Sequence, residues 1–328
     1  MKLQILVPHH KETPSEIKPL LDSIAIQQQV DFDEVGVIIA HDGPEATPLP
    51  KGSEYPFEIK QIKRKHQGVS ATRNAALDAA KAEYVMFCDA DDMFCHACGL
   101  FIIMCEIKVG FDTLTSCFIE QTKTPNGEFT FINHDMDSTF VHGKVHRRKY
   151  LLEKQIRFNP DLTIHEDSYF NILAQNLTEN AKYCPTPFYL WRWRDNSVCR
   201  HDKDYILKTY NNMLDSNDAL VEKFIERGYE DKACFYIGFM IFDAYYTMNK
   251  REWIDKTNKG YRDAVEKRFA LYYKKYRPRF ESLSEQERMI ISNGVRSRSV
   301  GEGMQMEIMT IGAWLEHVQK IQEGKNDE

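Results

Sequence analysis

At 328 residues the chain is long enough for a domain of about 200 residues followed by a smaller one. Apolar residues at 42% and charged ones at 28% exclude a disordered chain and a membrane-embedded one. The formal net charge of −6 excludes a protein built wholly to grip nucleic-acid phosphates.

The opening residues, Met1 to Pro8, carry one charge and too few apolar positions for the hydrophobic region of a signal peptide, so they read as a strand. The segment from Pro14 to about Gln29 places Ile17, Leu20, Leu21 and Ile24 at helical spacing, with proline suited to the first turn. Residues Glu34 to Ala40 form a second buried strand that stops at His41-Asp42-Gly43, and Phe57 to Ile62 alternate as an edge strand. Strand, helix and strand in this order describe a doubly wound sheet.

A helix follows Gly68, with Ser70 as its expected cap and Arg73 in its first turns. Tyr84 to Cys88 are too apolar for a half-exposed strand and too few for a helix, so they form a buried parallel strand. That strand runs into Asp89, Ala90, Asp91 and Asp92. In open α/β sheets ligands bind beyond the carboxyl ends of the strands. Three carboxylates in four residues repel one another unless a cation or donor groups compensate them, and a hard divalent ion is the simplest partner. The plainer alternative is an Asp-rich turn capping the next helix.

The pattern then predicts a helix from about Cys95 to Val109 and a hairpin of Thr113 to Gln121 with Phe129 to Ile132, turning at Pro125-Asn126-Gly127. A short basic helix is expected over Val145 to Glu153, and Ile164 to Phe170 open a further helix with Glu166 and Asp167 at its N-terminus. Ala181 to Trp193 returns to strand character broken by Pro185 and Pro187, leading into Arg194 to Ser197. From about Asp202 the chain turns helical, which sets a boundary near residue 200. Eight cysteines, most in apolar contexts, predict reduced buried thiols in a cytoplasmic protein. The longest apolar run, Cys98 to Ile107, is broken by Gly99 and Glu106 and is far short of the roughly 20 residues that span a bilayer.

Five segments, in order, resemble the nucleotide-sugar-dependent glycosyltransferases of family 2, the inverting type with the GT-A fold. They are ILVPHHKE (5 to 12), EVGVIIAHDG (34 to 43), GVSATRNAAL (68 to 77), CDADD (88 to 92) and IHEDSYF (164 to 170). The resemblance covers residues 3 to 200. It implies an α/β protein of the GT-A class, a doubly wound, mostly parallel sheet with a C-terminal helical region. Residues 1 to 200 would be the nucleotide-sugar-binding catalytic domain, and 201 to 328 a helical region for acceptor binding or oligomerisation.

The same resemblance implies roles. Asp42 would accept a hydrogen bond from a uracil base, and Arg73 would face the nucleotide or its phosphates. Pro8, His9, Glu12 and Ala90 would join them around a UDP-sugar donor. Asp89 would bind the ribose or metal region, and Asp91 would hold a Mg²⁺ or Mn²⁺ on the diphosphate, with His201 a third contact. Asp167 would be the general base and Glu166 would position the acceptor. A carboxylate of ordinary pKa near 4 is a weak base, so positioning would matter most. Arg192, Arg194 and Ser197 would cover the diphosphate. Trp191 and Trp193 would stack on a sugar or pack in the core.

The acceptor hydroxyl is not legible; a glycan, an anionic polymer and modified DNA all fit. The aromatic stripe from Tyr236 to Met248 reads as a packing face, and the run from Tyr272 to Arg279 interleaves aromatics with cations, which suits either an anionic polymer or an amphipathic helix face. The helices also offer a surface for homo-oligomerisation. Two other readings stand beside the leading one: a nucleotidyltransferase on a related sheet, which usually needs a Gly-rich N-terminal loop absent between Pro8 and Glu12, and a nucleotide-sugar-binding scaffold.

Overall fold

In the computed structural model, which describes residues 1–43, 54–195, 205–248, 259–301 and 310–323, the centre of the first half is β1 (Leu3–His9). Every residue of β1 except Pro8 is buried. It lies parallel to both β2 (Val35–Asp42) and β4 (Tyr84–Phe87), with Leu3 opposite Val35 on one side and Tyr84 on the other. Continuous apolar runs of this kind are stable only where both faces are covered. The outer strand β3 (Glu58–Arg64) pairs with β2 alone of the parallel strands and shows partial exposure, as the alternating pattern predicts.

Beyond β4 the sheet becomes mixed. The order is β3-β2-β1-β4-β8-β6-β9-β5, with β7 beside β6. Here β5 is Met93–Phe94, β6 Thr113–Lys123, β7 Phe129–His134, β8 Lys144–Arg147 and β9 Ala181–Trp191. The predicted hairpin of β6 and β7 is present, with Phe118 opposite His134.

Two expectations about the sheet change. The predicted helix over Val145 to Glu153 is split, because Val145 and His146 pair antiparallel with Met86 and Val85 of β4 and are buried there; only α4, Arg148–Glu153, is helical. Strand pairing with a distant partner has overridden local helix preference. In β9 the two prolines do not end the strand. They fall where its register with β6 shifts, between Ser116 opposite Cys184 and Phe118 opposite Tyr189, a bulge that spares prolines the ladder bonds they cannot make.

The helices that position functional groups are α1 (Pro14–Ala25), α2 (Val69–Ala79), α3 (Gly99–Val109) and α5 (Glu166–Asn176). The first ends four residues before the predicted limit, and Ile17, Leu20, Leu21 and Ile24 are its buried stripe. For α2 the cap is Gly68, at φ +89°, and not Ser70, which lies inside the helix and is buried. A positive φ costs glycine nothing. Helix α5 is anchored beside β4 by a ring cluster: Phe158 and Phe170 stack at 4.1 Å, and both meet Phe87 edge-on. Because Phe170 lies three residues after Asp167, the same helical face carries both, and burying one ring brings the acidic first turn to the end of β4.

The chain divides into two compact units, Met1–His201 and Asp202–Glu328. The described part of the second is helical: α6 (Tyr205–Glu226), α7 (Glu230–Met248), α8 (Lys259–Glu281), α9 (Glu285–Gly301) and α10 (Ile311–Gln322). In the aromatic stripe of α7, Tyr236 and Met240 are buried, whereas Phe235 and Phe239 face outward. The aromatic and cationic run of α8 is used internally. Lys275 lies 2.7 Å from Asp218 and 2.6 Å from Glu222, Tyr276 donates to Asp218, and Arg279 meets Glu230. Among the described residues no helix is long and apolar enough to cross a membrane.

Candidate active site

The ends of β1, β2 and β4 and the start of α2 enclose a cleft of about 450 Å³. Of the predicted residues, Pro8, His9, Glu12, Asp42, Arg73, Asp89, Ala90, Asp91 and Glu166 all line it. Asp167 adjoins Glu166 and contacts Arg73, and Arg194 reaches Asp91. Ser197 and His201 lie outside the described residues.

Arg73 is the hub. Its Nη1 donates to Glu166 Oε1 at 3.0 Å and to Asp167 Oδ1 at 2.5 Å, while Nη2 donates to Asp89 Oδ1 at 2.8 Å. Its side chain is 3% exposed and lies over the Phe158 ring at 5.2 Å. Sequence reading set this arginine against the nucleotide or its phosphates; here it gathers three carboxylates from two distant segments. One guanidinium cannot neutralise three acids. Burial pushes the Asp167 carboxyl well above the ordinary range and Arg73 opposes that shift, while Glu166 and Asp89 reinforce it. For Asp89 burial also pushes upward, but the charge and hydrogen bond of Arg73 together with His142 outweigh it and the carboxyl ends below its usual value. Asp167 is therefore not the weak base of ordinary pKa that its residue type suggests.

The other two aspartates have separate partners. Asp91 Oδ2 accepts from Arg194 Nη1 at 2.6 Å, and Arg192 Nη1 donates to the Asp91 carbonyl at 3.1 Å. Burial and the charge of Asp89 push the Asp91 carboxyl up, against Arg194. Asp92 is buried, accepting from Tyr189 Oη at 2.5 Å and from the Arg192 backbone N–H at 2.9 Å. It ties the end of β9 to β4 and serves the fold. The expected repulsion within Asp89-Ala-Asp-Asp92 is thus answered by two guanidiniums, a phenol and a backbone amide. Asp89 and Asp91 keep partial exposure, 30% and 26% of their side chains. Two hard oxygen donors opening on a cleft suit Mg²⁺ or Mn²⁺. Below them, the ligand atoms of Asp89, Asp92 and His142 lie within 4.8 Å of one another.

At the other end of the cleft Asp42 Oδ1 accepts from Gln67 N at 2.8 Å, and Oδ2 accepts from Gly68 N at 3.0 Å and lies 2.9 Å from His66 Nδ1. Burial raises this carboxyl, but the hydrogen bonds of Gln67, Thr72 and Gly68 and the His66 charge together hold it below its ordinary value. The predicted base-reading carboxylate is thus also the anchor of the loop before α2. His9 is spent inside the protein, with Nε2 2.8 Å from the Glu12 carbonyl and Nδ1 3.1 Å from His41 Nδ1. His41 reaches on to Gln61, with Nε2 3.0 Å from Gln61 Oε1.

Sequence reasoning missed His66, Thr72 and Gly68 as lining residues, and His142 behind Asp89. His66 stacks on His10 at 4.7 Å; its place two residues before the capping glycine was the available signal. His142 has no such signal, since only the β6–β8 pairing brings it near. Trp191 packs against Phe140 and His142 at 5.0 and 5.3 Å, and Trp193 Nε1 donates to Asp195. The described cysteines are free; Cys88, Cys117 and Cys184 are buried, but Cys95, Cys105 and Cys234 are exposed, contrary to the expectation that most are core thiols.

The model described as "Glycosyl transferase family 2" matches residues 4–97. The chain is 22% identical over 232 residues to the putative glycosyltransferase EpsH of Bacillus subtilis, covering 64% of this chain and 67% of EpsH. It is 25% identical over 220 residues to the uncharacterized glycosyltransferase EpsJ of the same organism, covering 60% of this chain and 62% of EpsJ. The crystal structure of S. aureus TarS 1-349 superposes with a TM-score of 0.62 at 15% identity, over 100% of this chain and 93% of that one. The same fragment is known in complex with UDP-GlcNAc. Of a longer TarS structure this chain spans 54%.

Proposed function

We propose, from the premise that this chain is a family 2 glycosyltransferase of the GT-A fold, that it moves a sugar from a UDP-sugar to an acceptor hydroxyl with inversion and with the help of a divalent cation. The observation that carries the reading is the meeting of Asp89, Glu166 and Asp167 on Arg73 in the wall of one cleft. A general base and the loop that would hold the donor diphosphate are there within one side chain's reach of each other.

In this reading the nucleotide lies along the cleft with its base toward Asp42, His66 and His10 and its diphosphate toward Asp91. Asp89 and Asp91 would hold Mg²⁺ or Mn²⁺, which when bound neutralises charge on the departing nucleoside diphosphate. Asp167 takes the proton of the acceptor hydroxyl as its oxygen bonds to the anomeric carbon and the carbon–phosphate-oxygen bond breaks on the opposite face. A carboxyl whose proton affinity is raised is a stronger base near neutrality than an exposed one, and Arg73 favours the ionised form that can accept. Glu166 would orient the acceptor. Residues 1–200 would form the catalytic domain, and 201–328 would bind acceptor or a second copy.

The base is inferred from Asp42 and from the UDP-GlcNAc complex of the TarS fragment. A thermal-shift comparison of UDP, GDP and ADP with and without Mn²⁺ tests it. A ligand that binds only the native state raises stability by about 2.7 kcal/mol at a hundredfold excess over its Kd. The expected result is a rise with UDP and Mn²⁺ together, loss of the Mn²⁺-dependent part in Asp91→Ala, and a fall in sugar transfer of about 10²-fold or more in Asp167→Asn. A flat response to every nucleotide would overturn the reading.

A further inference from the structure

Arg194 is held by two acids at once through different nitrogens: Nη1 meets Asp91 Oδ2 at 2.6 Å, and Nη2 meets Glu16 Oε1 at 2.6 Å, with Glu12 Oε1 3.9 Å from Nη1. Glu16 is fixed independently. Its other oxygen, Oε2, accepts from the Thr13 backbone N–H at 2.7 Å and from Thr13 Oγ1 at 2.8 Å, in the first turn of α1. One oxygen thus holds the helix start and the other faces Arg194.

We propose that Glu16 is a positioning residue that acts through Arg194. A cation bound to Asp91 competes with the guanidinium for the same oxygen, and like charges so close repel. Arg194 then gives up Asp91 but stays tethered by Nη2 to Glu16, so it remains beside the cleft, available to the donor diphosphate, instead of turning into solvent. The planar fork of arginine makes this exchange possible, since one nitrogen is released while the other keeps its partner; a lysine has no second arm. The inference rests on the reading of Asp91 as a cation ligand and of UDP as the donor nucleotide.

The test uses the full chain and two binding measurements that need no acceptor: Mn²⁺ alone by electron paramagnetic resonance, and UDP at saturating Mn²⁺ by calorimetry. The variants are Glu16→Gln, Arg194→Gln, the double variant, Arg192→Gln and Thr13→Ala. Glutamine keeps the helix-start interaction while removing the charge. Thr13→Ala removes the hydroxyl from Glu16 Oε2 but leaves the Thr13 backbone N–H on that oxygen and Oε1 facing Arg194, so it lowers stability and changes UDP affinity far less than Glu16→Gln does.

Arg194→Gln should bind Mn²⁺ about fivefold more tightly, the equivalent of an ion pair of ~1 kcal/mol. Arg192→Gln, which loses the same charge but touches only the Asp91 carbonyl, should change Mn²⁺ binding less. Glu16→Gln should bind UDP about fivefold more weakly, and that loss should vanish in the Arg194→Gln background, because the two act as one unit. An equal loss in both backgrounds, or none in either, would overturn the tether while leaving the donor reading intact. A wild-type protein that binds neither Mn²⁺ nor UDP would overturn both.

Discussion

Replacing Arg73 by glutamine leaves Asp89, Glu166 and Asp167 facing one another without a counter-charge. Breaking a buried ionic cluster by removing one partner costs about 3–5 kcal/mol, and the partial exposure of the carboxylates, 12–30% of their side chains, puts this site at the lower end. Arg73→Gln should therefore unfold at lower denaturant by about 3 kcal/mol and lose transfer activity beyond what its folded fraction explains. Arg73→Lys keeps one charge but only one point of contact, so it should recover stability more than turnover. Chemical denaturation and a transfer assay on the same samples separate the two. That Arg73 belonged to the site was readable from its place in GVSATRNAAL. Its partners were not, since Glu166 lies 93 residues away and no local pattern encodes that distance.

At the scale of elements, the strands that frame the cleft were legible because their burial is written in the chain. β1, β2 and β4 are apolar runs with acids or histidines at one end. β8 was not legible: Lys144 to Arg147 is polar in sequence yet three of its four residues are buried, and the cause is pairing with β4 and β6. Tyr189 and Asp92 are a similar case, joined across 97 residues. The link between packing and chemistry is sharpest at α5, whose acidic first turn is set by Phe170 against Phe87 and Phe158. Phe170→Ala should cost about 3–5 kcal/mol and reduce turnover in the folded fraction, whereas Phe170→Leu should retain most of both. Urea melts monitored by circular dichroism, with transfer rates below the transition, would show it.

At the scale of the whole molecule, the acidic balance of −6 and the internal use of the α8 cations leave the helical unit little free positive charge in that run. The helical unit also contains Asp243, buried on α7, whose carboxyl burial pushes up to about 7 against the opposing charge of Arg298. Unfolded, that carboxyl titrates near its ordinary value of 3.8. Between these limits the folded chain holds a proton that the unfolded chain has released, so the contribution to stability is present below about pH 4 and is lost as pH rises through about 7. Asp243→Asn should remove this component: the stability difference between variant and wild type should grow from pH 4 to pH 7 and then level off. A Tm series in both proteins across that range gives the sign directly, and a constant difference would contradict it.

The pair of Arg194 and Glu16 closes a loop of 178 residues. A chain made on a ribosome presents α1 early, yet the acid on its first turn receives its guanidinium only after the last strand of the sheet has been synthesised. Newly made protein would therefore pass through more than half of its translation before the Arg194–Glu16 pair could close.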